Sequence, residues 1–320
     1  MKIRELEYHD LPYTLDRHTG ALWRPGELTY TLENLKSAKW RPLLSKDYDK
    51  DDQNIPIFIY REHNYNIIVD FAQKFVDFLN RYVTPGRIYY HPCQIALKTL
   101  SILDGYILTK KKEYLDVAKT FSKKLLEISV EINDALYFKN SHNWPLHGDI
   151  DQLMVAPWYS GMYQGLILSV FVRLYNITKN NKYFKISDKI FNCFKNLKGN
   201  TEPWVVYRDD EGFFWIEEAP MNVPCNTLNG FIFGIYGLYD YYLLKKSKES
   251  KQILQDAITT IKHYISEYRN PGDISYYCLK HKEKIPRYHR LHIEQLLQLY
   301  KITDDEYFRT MADNFYNDYH

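Results

Sequence analysis

The chain of 320 residues balances 42 basic against 40 acidic side chains, a formal net charge of +2, which excludes a polycationic nucleic-acid binder. Its 45% hydrophobic content suffices for a large core, and no run of about 18 apolar residues predicts a membrane-spanning helix. Thirty tyrosines and six tryptophans suit clefts and sugar faces, since each offers apolar area with one polar tip.

Residues 1–62 carry Pro12, Gly20, Pro25, Gly26, Pro42 and Pro56 between short extended pieces such as ELTYTL and IPIFIY. They predict a loop and β-hairpin extension packed on a second unit, 63–320. The opening MKIRELEYHD has no apolar stretch of leader-peptide length, so a cytoplasmic location is expected. Asn66 to Tyr82 places apolar residues at helical spacing and stops before Pro85-Gly86. It predicts a helix that seals a ring of helices.

Two-helix units then follow: Pro92 to Leu108 with Glu113 to Ile128, Trp158 to Ile177 with Lys182 to Leu197, Thr227 to Leu244 with Ser250 to Tyr268, and Leu291 to Ile302 with Asp305 to Tyr316. Each pair turns at a tyrosine-led hinge: YILTKKKEY, YNITKNNKY, YLLKKSKES and YKITDDEY. The hinge tyrosines, Tyr106, Tyr175, Tyr242 and Tyr300, are spaced 58 to 69 residues apart. Common helical solenoids repeat at roughly 34 to 47 residues, so room remains for long loops. In the second and third units the first helix is apolar all round and its partner is amphipathic. The first belongs inside and the second on the rim. The fold class is therefore all-α: an (α/α) barrel or toroid of about four helical hairpins, with the N-terminal extension and a β-hairpin insertion.

Three long segments, Asn140 to Pro157, Glu202 to Pro224 and Asn270 to Arg290, each precede an inner helix and should gather at one end of the ring. The second contains VVYRDDEGFFWIEEAP, which reads as a hairpin turning at Asp210-Glu211-Gly212. Cys93, Cys193, Cys225 and Cys278 are scattered without a CxxC pair and read as free thiols. No metal and no cofactor are expected. His289 and His292, three apart at a helix start, suit hydrogen bonding better than metal binding, because their segment supplies no clear further ligands.

Four strings lie where the inner helices begin: YYHPCQIA, PWYSGMYQG, WIEEAPMNVPCNTLNGF and YHRLHIEQL. In this order they resemble segments of the D-glucuronyl (heparosan-glucuronate) 5-epimerase family, in its C-terminal domain, from about Tyr89 to the end of the chain. The resemblance implies a helical-hairpin barrel that inverts carbon 5 of D-glucuronate to L-iduronate within a polymer. It places the catalytic roles on Glu218, Tyr277 and Tyr288. Tyr90, Gln94, Trp158, Tyr159, Glu217, Asn229, Lys280, Arg287, His289 and His292 are the expected substrate contacts. The chain departs from the family pattern at Ala219, where a tyrosine is common, and at Lys280, where an arginine is. The implied partner is an anionic uronate-containing polysaccharide, and a tyrosine-rich, near-neutral outer face suits a homodimer.

Inversion requires proton removal on one face of the sugar and proton return on the other. A carboxyl shielded by Phe214 and Trp215 would rise toward neutrality, which fits Glu218. A tyrosine base would need nearby cations, for which Lys280, His281, Arg287, His289 and His292 are candidates. A polysaccharide lyase would share the abstraction step, and a glycoside hydrolase would pair Glu218 with Asp149 or Asp151 across the bond. A non-catalytic carbohydrate-binding barrel is the remaining reading.

Overall fold

The computed structural model describes residues 1–12, 48–51, 53, 55–59 and 88–319. The helix expected from Asn66 to Tyr82, the ELTYTL piece and the boundary between residues 62 and 63 lie outside them. The described helices pair as inner and outer partners: α1 (Pro92–Thr109) with α2 (Lys112–Glu127), α3 (Gly161–Thr178) with α4 (Asn181–Asn192), α5 (Leu228–Lys245) with α6 (Lys248–Tyr268), and α7 (Pro286–Thr303) with α8 (Glu306–Asp318). This is the hairpin arrangement of an (α/α) barrel.

Every residue from Pro92 to Gly105, Gly161 to Leu174 and Leu228 to Tyr241 is buried, because α1, α3 and α5 are flanked by inner neighbours and covered by outer partners. The outer helices bury one stripe only, as α6 does with Leu254, Ala257, Ile258, Ile261 and Ile265. Helices α3 and α5 approach backbone to backbone. A β carbon on Gly237 would lie 2.2 Å from the carbonyl oxygen of Gly165, so only glycine fits there.

The repeated hinge is a helix-capping device. Lys110, Lys179, Lys246 and Asp304 take left-handed φ values of 57°, 55°, 48° and 60°. Each returns its N–H to the carbonyl of the hinge tyrosine, Tyr106, Tyr175, Tyr242 or Tyr300, at 2.7–2.8 Å. The next helix opens with a side-chain cap in three of the four units, from Asn180, Ser247 and Asp305.

These hinges lie at one end of the barrel, and residues 1–12 cross it. Tyr239 accepts the Leu6 N–H at 3.0 Å and donates to the Arg4 carbonyl at 2.9 Å. Arg173 Nη2 donates to the Pro12 carbonyl at 2.6 Å, and Gln298 Nε2 to that of Asp10 at 2.7 Å. Arg173 is itself paired with Asp240 at 3.0 Å, both side chains being buried.

The long segments occupy the other end. Strands β1 (Tyr48–Lys50), β2 (Pro56–Ile59) and β3 (Ile88–Tyr90) form an antiparallel sheet that delivers the chain to α1. A hairpin of β4 (Ser129–Ile132) and β5 (Ala135–Phe138) turns on Asn133-Asp134, both at positive φ, and was not anticipated from sequence. Strands β6 (Trp144–Pro145) and β7 (Leu153–Met154) form a short pair. The expected hairpin is present as β8 (Val206–Arg208) and β9 (Phe214–Ile216), with Gly212 at φ 88°.

Two helix starts differ from expectation. Helix α7 begins at Pro286, five residues before Leu291, because proline suits the first helical position. Helix α3 begins at Gly161, after Ser160, so Trp158 and Tyr159 precede it instead of opening it. Among the described residues no helix is long and apolar enough to cross a membrane.

Candidate active site

The chain leaving β9 places two consecutive glutamates in different surroundings. Glu217 is fully buried; its Oε2 accepts the Cys225 N–H at 2.6 Å and its Oε1 the Asn226 N–H at 2.8 Å. Burial pushes its carboxyl up to about 8, against those two amides, which favour the ionised form. Glu217 is thus placed as a clamp on the loop from β9 to α5.

Glu218 turns toward the first residues of α5. A β carbon on Gly230 would lie 2.3 Å from Glu218 Oε2, so this glycine leaves the space that the carboxylate fills. The Tyr277 hydroxyl donates to Glu218 Oε1 at 3.2 Å, while Oε2 is buried without a hydrogen-bond partner among the described residues. Desolvation pushes the carboxyl up to about 7; the Tyr277 hydrogen bond and His147 oppose it.

Tyr277 packs against Tyr288, ring centroids 4.7 Å apart. Tyr288 rides on the first turn of α7, where Arg287 Nη2 donates to its hydroxyl at 3.4 Å and the guanidinium carbon lies 4.8 Å from the ring centre. Burial pushes Tyr288 up to about 12, with Arg287 pulling the other way. One turn on, His292 stacks at 6.5 Å and exchanges a hydrogen bond through Nδ1 with Ser275 Oγ at 2.8 Å. Burial draws it down to about 3, so the ring is neutral. Gln295 follows, its Nε2 donating to the Asn229 carbonyl at 3.1 Å. His292 Nε2, Gln295 Oε1 and Asn229 Oδ1 are, like Glu218 Oε2, buried and unpartnered among the described residues. Tyr288, His292 and Gln295 share one stripe of α7. Four polar atoms beside Glu218 are thus buried without a hydrogen-bond partner among the described residues, which is unusual enough to mark the region as a candidate site.

Glu218, Tyr277, Tyr288, Arg287, Asn229 and His292 come together in this wall. Trp158, Tyr159 and Lys280 instead line a neighbouring cleft of about 660 Å³, with Trp204 on another side and Pro220 to Val223 forming the wall that continues from Glu218. Tyr90 faces elsewhere: its hydroxyl donates to Asp51 Oδ2 at 3.0 Å and Lys124 lies 4.4 Å over its ring. Gln94 is buried in the first turn of α1. His289 is turned to the C-terminal segment, accepting the Ser275 N–H at Nδ1 (2.8 Å) and bonding the Tyr319 carbonyl through Nε2 (2.9 Å). Asp149 caps a turn, its two oxygens accepting from the Asp151 N–H and from Gln152 Nε2, each at 2.9 Å, which occupies one carboxylate considered for a hydrolase.

Sequence reasoning did not single out Gln295, Ser275 or His147, or foresee that Gly230 makes room for Glu218. The IEQL string held a signal for Gln295, one turn beyond His292. His147 borders a small second core in which Leu146, Met154, Ala219, Cys225, Tyr277 and Cys278 are buried, and it touches Tyr277, Cys225 and Cys278. Ala219, 4% exposed in that cluster, stands where the family resemblance expected tyrosine.

The family described as D-glucuronyl C5-epimerase C-terminus matches residues 133–317, more than half of the chain. This chain belongs to the D-glucuronyl C5-epimerase C-terminus family. A D-glucuronyl C5-epimerase of Caenorhabditis elegans is 28% identical over 182 residues, 51% of this chain and 29% of that protein. An uncharacterized protein of Methanocaldococcus jannaschii is 27% identical over 157 residues, 47% of this chain and 48% of its own length. The chain thus spans less than half the length of either curated relative. The solved structure of cellobiose 2-epimerase from Bacillus thermoamylovorans superposes with a TM-score of 0.53 at 14% identity, covering 72% of this chain and 59% of that one; the likeness is one of fold. The segment matched to the C5-epimerase family holds Glu218, Tyr277 and Tyr288, while Tyr90 and Gln94 precede it.

Proposed function

We propose that this protein inverts carbon 5 of D-glucuronate to L-iduronate within a heparosan-like, uronate-containing polysaccharide. One observation carries the reading. A buried carboxyl tuned to about 7, Glu218, and a tyrosine held by an arginine, Tyr288, converge on Tyr277 from separate elements, the β9–α5 loop and the first turn of α7.

Near neutral pH Glu218 populates both protonation states, so it accepts or donates a proton without a large free-energy step. As carboxylate it takes the hydrogen from carbon 5, and the C–H electron pair moves into the sugar's carboxyl group as an enolate. Tyr288, protonated at this pH, returns a proton to carbon 5 from the other face, and a new C–H bond forms. The resulting tyrosinate is favoured by Arg287 and recovers its proton from solvent, while Glu218 releases the one it took. Tyr277 donates to Glu218 and holds the carboxylate in place. Arg287, and His292 through Nε2 with Nδ1 accepting the Ser275 hydroxyl, supply donors toward the developing enolate, the kind of preorganised stabilisation that is usually the largest catalytic term. Trp158, Tyr159 and Trp204 line the adjoining cleft, where flanking sugars would pack against aromatic surface.

The test is incubation with heparosan in heavy water. Deuterium at carbon 5 and iduronate without chain shortening support the proposal. Unsaturated ends would make the protein a lyase, new saturated reducing ends a hydrolase, and absence of exchange would remove this substrate class.

A further inference from the structure

Among the described residues, His147, Cys225, Cys278 and His281 bring one ligand atom each to within 4.8 Å of all the others. Cys225 Sγ lies 3.5 Å from His147 Nε2 and 3.6 Å from His281 Nδ1; Cys278 Sγ lies 3.4 Å and 3.5 Å from the same two nitrogens. A tetrahedron with metal–sulfur bonds of about 2.3 Å and metal–nitrogen bonds of about 2.0–2.1 Å has sulfur-to-nitrogen edges of about 3.5 Å. All four sulfur-to-nitrogen distances agree with that value. Both thiols are buried and no disulfide joins them.

The surroundings fit a metal as well as the ligand atoms do. His281 Nε2 lies 2.7 Å from Gln152 Oε1, an acceptor that fixes the proton on Nε2 and leaves the Nδ1 lone pair facing the thiols. Backbone bonds hold the two cysteine loops side by side, from the Leu279 N–H to the Asn226 carbonyl and from the Lys280 N–H to the Cys225 carbonyl, both 3.3 Å. His147, Asn226 and Lys282 take left-handed φ values of 54°, 56° and 51°, so each of the three loops is bent sharply at or beside a ligand.

We infer that His147, Cys225, Cys278 and His281 form a structural zinc site that clips together the three long loops at the mouth of the barrel. His147 comes from the first loop, Cys225 from the β9–α5 connection at the end of the second, and Cys278 with His281 from the third. The clip is one residue from Tyr277, and the Cys225 amide holds Glu217, so it fixes both sides of the Glu218 wall. A closed two-cysteine, two-histidine set of this kind contributes folding free energy and offers no open position for chemistry.

Elemental analysis of the full chain, purified without chelator and dialysed, tests the site, and it needs no substrate. About one zinc per chain is expected. X-ray absorption at the zinc edge should show two sulfurs at about 2.3 Å and two nitrogens at about 2.0 Å. Cys225→Ser and Cys278→Ser should each lose the metal, and Cys193→Ser should keep it. Cobalt added to metal-stripped protein should give a thiolate charge-transfer band and the intense visible bands of tetrahedral geometry. Reduced protein that neither carries zinc nor takes up zinc or cobalt overturns the inference. So does a first coordination shell without sulfur, or a Cys225–Cys278 disulfide in place of metal. If the serine variants fail to fold, the absorption spectrum of the unmodified chain decides.

Discussion

Glu218 sits where the chemistry and the packing meet. Its Oε2 fills the space that a β carbon on Gly230 would take, so Gly230→Ala is expected to displace the carboxylate and lower kcat, with the helical circular dichroism retained. Glu218→Gln keeps the volume and removes the base; C5 exchange should fall by roughly 10²–10⁴-fold. The pH dependence follows from the raised pKa. Activity that needs the carboxylate should rise as pH passes through about 7. Stability runs the other way: the folded state holds the proton more tightly than the unfolded chain, whose carboxyl titrates near 4.3. The stabilisation is complete below that value and is lost as pH rises to about 7. Glu218→Gln removes the loss, so thermal melts should show the variant gaining on the unmodified protein between pH 4 and pH 8. A variant that melts no higher at pH 8, relative to pH 4, contradicts the burial account. The meeting of Glu218, Tyr277 and Tyr288 at the loop end was legible, because each lies in one of the long segments expected to gather there. The clamp role of Glu217 and the turning away of His289 were not, since both depend on partners, Cys225, Asn226 and Tyr319, that only the fold brings near.

Among the elements, the four hinges show what a repeat in sequence does and does not disclose. The tyrosine spacing located each helical hairpin among the described residues, yet the physical reason for the motif is backbone geometry: a left-handed residue closes each inner helix onto the tyrosine carbonyl. Glycine adopts that conformation without the steric cost a side chain brings. Lys179→Gly is therefore expected to stabilise the protein by roughly 0.5–1 kcal/mol in chemical denaturation, and Lys179→Val to destabilise it. A neutral glycine substitution would show that the cap carries no strain. Helix bounds were read less well than helix positions: α4, for instance, stops at Asn192, five residues before the expected Leu197. Pro286 admits a helix five residues earlier than the apolar pattern suggested, and that shift puts Tyr288 on a rigid turn instead of a loop. The β4–β5 hairpin was missed because its Asn133-Asp134 turn lacks the glycine that usually marks such a bend.

Over the whole molecule, the two ends of the barrel are built for different tasks. Residues 1–12 cross the hinge end and anchor on Arg173, Tyr239 and Gln298, whereas the long loops gather at the other. The alternation of hairpins and long segments made that division readable in advance; an N-terminal extension packed on the barrel was expected too, but not that residues 1–12 cross its hinge end, since they carry no motif. Removing one partner of the buried Arg173–Asp240 pair leaves an uncompensated charge, so Asp240→Ala should cost about 3–5 kcal/mol by denaturation while the remote Glu218 wall stays assembled. The loop end is where the central claim, two-sided proton transfer by Glu218 and Tyr288, can be tested most directly. Tyr288→Phe protein is supplied separately with glucuronate-configured and iduronate-configured heparosan in heavy water, and carbon-5 deuterium and configuration are both read. The account predicts that inversion is lost from both substrates, with residual deuterium exchange confined to the configuration that Glu218 deprotonates. Inversion at the unmodified rate, in either direction, would contradict it.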